Sequence, residues 1–239
     1  MRNTVLFDLD GTLLPMDQDT FVRAYMHRLV AHFAPMGYNG EALVKGVWAG
    51  TMAMIANDGT MTNRERFWRT FAALPNCPAG DTFEAQCDAF YAGDFNLVKE
   101  VTGESRVGSR VLAVLRQKGY TVALATNPVF PAVAVRTRLS WIGLSPEDFD
   151  YVTTYENSRF CKPNPRYFGE VCAALGKAPE ECYMVGNNTE DDLSAAGLGI
   201  GMFMVTDCLE NAGHIDISPY AHGTQEELLS WAQGLPAVQ

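Results

Sequence analysis

Apolar residues recur along this chain in two different rhythms. Thr4 to Phe7 is a short β-branched and aromatic run, the pattern of a buried strand. The period then changes. Phe21, Val22, Tyr25, Met26, Leu29, Val30 and Phe33 recur at i, i+3 and i+4, which predicts a helix over 19–34. Glu41 to Ala56, Thr62 to Leu74 and Asp81 to Ala92 read the same way, and Thr62 with Glu65 makes a capping box at the start of the third. Strands and helices alternate after that. Helices are predicted over 105–118, 131–141, 165–175, 190–196 and 225–232, and strands over 120–125, 151–153, 182–185 and 201–205. Such alternation implies a parallel sheet covered by helices on both faces. The expected architecture is α/β, a Rossmann-like doubly wound core of residues 1–15 and 95–239 with a helical cap, 16–94, inserted after the first strand.

Composition narrows the partners. Hydrophobic residues make up 47% of the 239, enough for a substantial core. The net charge is −10 and no Lys/Arg-rich run occurs, which argues against a nucleic-acid or anionic-membrane surface. An anionic substrate therefore needs a metal or a few placed basic residues. The six cysteines show no C-x-x-C spacing and read as reduced thiols of a cytoplasmic protein. No signal peptide is expected before the first strand, and no apolar run approaches the ~20 residues that span a bilayer. Oligomeric state is not written in the sequence.

Chemistry gathers at the ends of the predicted strands, the edge where open parallel sheets bind ligands. The first strand runs into Asp8-Leu9-Asp10-Gly11-Thr12, two carboxylates at i and i+2 on one side of the chain. Carboxylates at the end of a buried strand need compensation, and Mg²⁺ supplies it, since that ion takes a few carboxylates, water and substrate phosphate. The second strand delivers Thr126-Asn127-Pro128, and Cys182 to Val185 delivers Gly186-Asn187-Asn188-Thr189-Glu190-Asp191-Asp192. Between them Lys162 precedes Pro163-Asn164-Pro165. Each motif alone has an ordinary turn or helix-cap explanation. Their order on successive strand ends is what makes them specific.

In that order the motifs resemble those of the haloacid dehalogenase superfamily of hydrolases, in its phosphatase-like branch with a helical C1-type cap. Asp8 to Thr12 resembles the first motif, Thr126 the second, Lys162 the third and Gly186 to Asp192 the fourth. The fourth departs from the family pattern, because Asn187 stands where an acid is usual. Asp191 and Asp192 both fit the second acid's spacing, and Asp192 fits the following helix better. The resemblance implies a phosphomonoesterase acting on a small phosphorylated metabolite. Asp8 would be the nucleophile that becomes an aspartyl phosphate, and Asp10 the general acid–base. Thr126, Asn127 and Lys162 would bind the phosphoryl group, and Asp8, Asp10, Asn187 and Asp192 would hold Mg²⁺. Asp10 sets the chain apart from the dehalogenases, which lack this second acid. A phosphomutase shares all four motifs, and a weakly catalytic binding or regulatory member is the non-enzyme alternative. A phosphonate-cleaving member would need a cap lysine, and Lys45, the cap's one lysine, reads as surface. In the cap, Arg64 and Arg66 are candidates for a second anionic group of the substrate, against the plainer reading that they face water. Trp48, Phe67 and Trp68 read as cap core.

Overall fold

The structure, a computed structural model, describes residues 1–78 and 80–238. Its centre is β1 (Thr4–Phe7), whose four residues are all buried. β1 pairs in parallel with β2 (Thr121–Leu124) on one side and β4 (Cys182–Gly186) on the other, Thr4 lying opposite both Thr121 and Cys182. β3 (Tyr151–Val152), β5 (Gly201–Val205) and β6 (Ala221–Gly223) complete a six-stranded parallel sheet in the order β3-β2-β1-β4-β5-β6. Alternation along the strands sorts side chains into two cores. Val5, Phe7, Val122, Leu124 and Val205 join one apolar cluster, and Leu6, Ala123, Met184, Met202 and Met204 the other. A sheet buried on both faces explains the near-continuous apolar strands.

Four helices, α1 (Gln18–Phe33), α2 (Gly40–Ile55), α3 (Asn63–Ala72) and α4 (Asp81–Ala92), lie between β1 and the rest of the sheet's strands. Asp17, Asn39 and Thr62 cap the first three, and the capping box of Thr62 and Glu65 is formed. The first cluster continues into this insertion, with Tyr25 of α1 set edge-on to Phe130 at 5.5 Å between ring centres. The sheet's own helices are α5 (Val107–Gln117), α6 (Ala132–Trp141), α7 (Pro165–Leu175) and α8 (Gln225–Gly234). Among the described residues no helix is long and apolar enough to cross a membrane.

The structure departs from the predicted elements in two places. The helix expected over 190–196 is a turn followed by a 3₁₀ helix, Leu193–Leu198. Asn188 Oδ1 accepts from the N–H groups of Glu190 and Asp191, both at 2.8 Å, so a side chain takes donors that a helix would have used. β6 was not predicted, because Ala221-His222-Gly223 carries neither β-branched residues nor alternation.

Candidate active site

Asp8 follows β1, Thr126 and Asn127 follow β2, and Asn187 to Asp192 follow β4, all at the carboxyl edge of the sheet. Lys162 reaches the same place from the loop between β3 and α7, preceding a cis bond to Pro163. Together with Asp10 these residues line one cavity of about 220 Å³, so all seven of the site residues expected from the sequence meet there. Gln18, Thr51 and Ile55 of the inserted helices form its roof, and Asp191 and Glu210 join its wall.

Lys162 is the electrostatic centre. Its ammonium, buried, donates to Asp8 Oδ1 at 2.8 Å and to Asp192 Oδ1 at 2.7 Å. Burial works against its charge, but Asp192 and Asp8 outweigh that and hold it protonated well above the ordinary lysine range. Burial pushes the Asp8 carboxyl up to about 7; Asp192 and Asp10 add to the rise and Lys162 opposes it. Asp192 Oδ2 accepts from the backbone N–H of Asn187 and of Asn188, both at 3.0 Å. Its Cβ, carboxyl carbon and Oδ2 lie where a side chain at Gly186 would stand, so only glycine admits this packing. Both oxygens of Asp192 are thus committed to Lys162 and the loop. The backbone carbonyl of Thr126 is fixed by the Thr153 hydroxyl at 2.7 Å and the Tyr167 phenol at 2.8 Å, which aims the Thr126-Asn127 turn into the cavity.

Asp10 has a partner that sequence reasoning missed. Its Oδ2 is paired with Nη1 of Arg138, a fully buried arginine of α6 whose guanidinium also sits 4.3 Å over the Phe130 ring. The signal was present. Arg138 occupies the i+3 and i+4 positions of a stripe with buried Val135 and Ala134, and a charge on such a stripe needs a buried counter-charge.

Asn187 is tied at both ends. Its Oδ1 accepts from the Thr12 hydroxyl at 2.8 Å and its Nδ2 donates to the Cys208 carbonyl at 2.8 Å. Gly11, at φ +77°, turns the chain against this amide, and its missing Cβ leaves the amide room. Asp192 Oδ1 keeps one lone pair beyond its Lys162 bond, and Asn187 Oδ1 keeps one beyond its Thr12 bond. Of the carboxylates that line the cavity, Asp8, Asp10, Asp191 and Glu210 each keep one oxygen outside any hydrogen bond, with Asp191 Oδ2 held by Asn127 at 3.1 Å and Glu210 Oε2 by Asn188 at 2.7 Å. Asp10 Oδ1 and Asn127 Oδ1 are buried acceptors with no partner. Five carboxylates line the cavity against a single ammonium, an imbalance that a hard cation with oxygen ligands fits. Among the described residues no three His, Cys, Asp or Glu side chains are grouped so as to hold a metal ion by themselves.

Some cap candidates are placed differently from expectation. Arg64 makes two bonds to the Glu84 carboxylate at 2.6 and 2.7 Å, and Arg66 pairs with Asp58 at 2.8 Å, so neither is free for a second anion. Phe67 and Trp68 pack against the main apolar cluster as expected, whereas Trp48 is 47% exposed, and all three line a second cavity.

A sequence profile of the haloacid dehalogenase-like hydrolases matches residues 3–199. Pyrophosphatase PpaX of Bacillus cereus (strain AH820) is 23% identical over 214 residues, which cover 90% of this chain and 88% of that protein. The fold is similar to that of a HAD phosphatase from Thermococcus onnurineus, at TM-score 0.60 and 20% identity over the whole of both chains. It is also similar to CbbY from Rhodobacter sphaeroides in complex with phosphate, at TM-score 0.59 and 19% identity over 95% of this chain and 96% of that one. With the profile spanning most of its length and its motif residues gathered in one cavity, the chain belongs to the haloacid dehalogenase-like hydrolases.

Proposed function

We propose that the chain is a Mg²⁺-dependent phosphomonoesterase that works through an aspartyl phosphate on Asp8. The observation that carries this reading is the buried Asp8–Lys162 pair facing Thr126 and Asn127 across one cavity. Asp8 Oδ1 is held by Lys162, which leaves Oδ2 to attack phosphorus in line and displace the alcohol. Lys162 opposes the rise that burial causes in Asp8 and faces the phosphoryl oxygens as a fixed positive point. Thr126 and the Asn127 amide orient the same oxygens. Asp10 Oδ1, without a protein partner, exchanges a proton first with the leaving group and then with the water that cleaves the acyl phosphate, while Arg138 holds the other oxygen and so the side chain's direction. Mg²⁺, held by Asp8, Asp10 and Asp191 with Asn187 as a neutral donor, would supply charge neutralisation and a template for the phosphoryl group. The names of the relatives, a pyrophosphatase and a phosphatase, support phosphoryl chemistry.

Hydrolysis is favoured over phosphomutase action because the two cap arginines expected as a second anion site are already paired. A mutase must hold a second phosphate, and Arg64 and Arg66 are already neutralised by Glu84 and Asp58. The test is Asp8→Asn, which should abolish phosphate release from p-nitrophenyl phosphate while circular dichroism stays that of the parent. Turnover near the wild-type rate in that variant overturns the mechanism.

A further inference from the structure

A second cavity, of about 580 Å³, lies among α1, α2, α3 and α4 and is floored by the loop after β2. It shares Gln18, Thr51, Val129 and Phe130 with the catalytic cavity, so the two adjoin. Its size is that of cavities which enclose most of a small organic ligand. We infer that this cavity is the leaving-group site and that the substrate is the phosphate monoester of a bulky apolar alcohol, aliphatic or aromatic, rather than pyrophosphate or a polar, doubly charged metabolite. The inference rests on the phosphatase reading above and specifies its substrate class.

Three observations carry it. The walls are aromatic and aliphatic, with Trp48, Phe67, Trp68, Phe71, Tyr91 and Phe130 prominent. The aromatic hydroxyls and one of the two indole N–H groups in these walls are already paired. The Tyr25 and Tyr91 hydroxyls bond each other at 2.7 Å, and Trp68 Nε1 donates to Tyr155 Oη, which in turn reaches Glu84, each at 3.3 Å. The charges point the same way. Asp19 and Asp88 line the wall with one cation, Arg23, whose guanidinium donates to the Thr20 hydroxyl, so a second anionic group would meet net negative charge. Phe130 separates the two halves of the site, its ring lying under the Arg138 guanidinium that holds Asp10.

The experiment compares kcat/KM for ethyl, butyl, hexyl and octyl phosphate, with acetyl phosphate, phosphoglycolate and inorganic pyrophosphate alongside, all with Mg²⁺. Each buried methylene is expected to raise kcat/KM by about fourfold, so octyl phosphate should exceed butyl phosphate by roughly 10²-fold and pyrophosphate should rank below both. Val47→Asp, which sets a charge in the wall, should flatten the octyl-to-ethyl ratio within that variant, whatever its absolute rate. 1-Octanol should bind the unmodified protein and shift the tryptophan emission, since Trp48 and Trp68 line the cavity. Brisk acetyl phosphate hydrolysis with no chain-length trend would overturn this inference and leave the phosphatase reading standing. No phosphate release from any of these compounds would overturn both.

Discussion

Replacing Lys162 by Met keeps roughly the volume of the side chain and removes the charge that two buried carboxylates share. At 2.8 and 2.7 Å each contact is worth about 6 kcal/mol of attraction at an effective dielectric of ~20, most of it offset by the burial of three charges. Breaking a buried pair by deleting one partner typically costs about 3–5 kcal/mol, and here both partners are left behind. The loss should have a definite pH dependence. The Asp8 carboxyl already sits at about 7, above its ordinary 3.8, so its folded state binds a proton more tightly than its unfolded state. A group raised in this way favours folding below 3.8 and ceases to do so as pH rises through 7. Without Lys162 the carboxyl rises further. The variant's deficit in unfolding free energy should therefore be largest at pH 8 and shrink toward pH 5, by up to about 1.4 kcal/mol per pH unit as Asp8 takes up its proton. Urea unfolding in EDTA at both pH values measures this. Turnover of an aryl phosphate should fall about 10²–10³-fold, the usual cost of one preorganised charge at a developing oxyanion. A kcat within threefold of wild type, with a deficit below about 1 kcal/mol at pH 8, would refute the assignment of Lys162 as the charge centre.

Three further outcomes are expected. Mg²⁺ should raise the melting temperature more at pH 8 than at pH 5.5, because below about 7 a proton competes for Asp8; an equal rise at both would remove Asp8 from the cation site. Asn187→Asp turns the donor to the Cys208 carbonyl into a repelling oxygen, so it should cost about 1–3 kcal/mol of stability while lowering the Mg²⁺ concentration for half-maximal activity; no change in either would dismiss both roles given to this side chain. Arg138→Met leaves Asp10 beside an apolar wall, and a drop in kcat larger than any rise in KM, with about 3–5 kcal/mol of stability lost, is expected from steady-state kinetics and denaturation; unaltered kcat would mean that Arg138 does not orient Asp10.

The sequence by itself determined five of the sheet's six strands, the inserted helices and the motif residues that meet in one cavity. These are local properties: β-branched runs, a 3.6-residue stripe, a capping box, and carboxylates, an amide and a lysine at strand ends. Where a side chain competes with the backbone, that reading failed, as when Asn188 captured the N–H groups of the expected helix at 190–196. The tertiary structure alone decided which partners the charges have. Arg138 lies 128 residues from Asp10, Glu84 lies 20 from Arg64, and Cys208 lies 21 from Asn187, so no local spacing announces those pairings. They determine the roles. Glu84 and Asp58 withdraw the cap arginines from the substrate, and two backbone amides together with Lys162 occupy Asp192. Trp48, Phe67 and Trp68 read as cap core in sequence and also line a cavity, because periodicity tells which face of a helix is apolar and not whether that face meets another side chain or an open space.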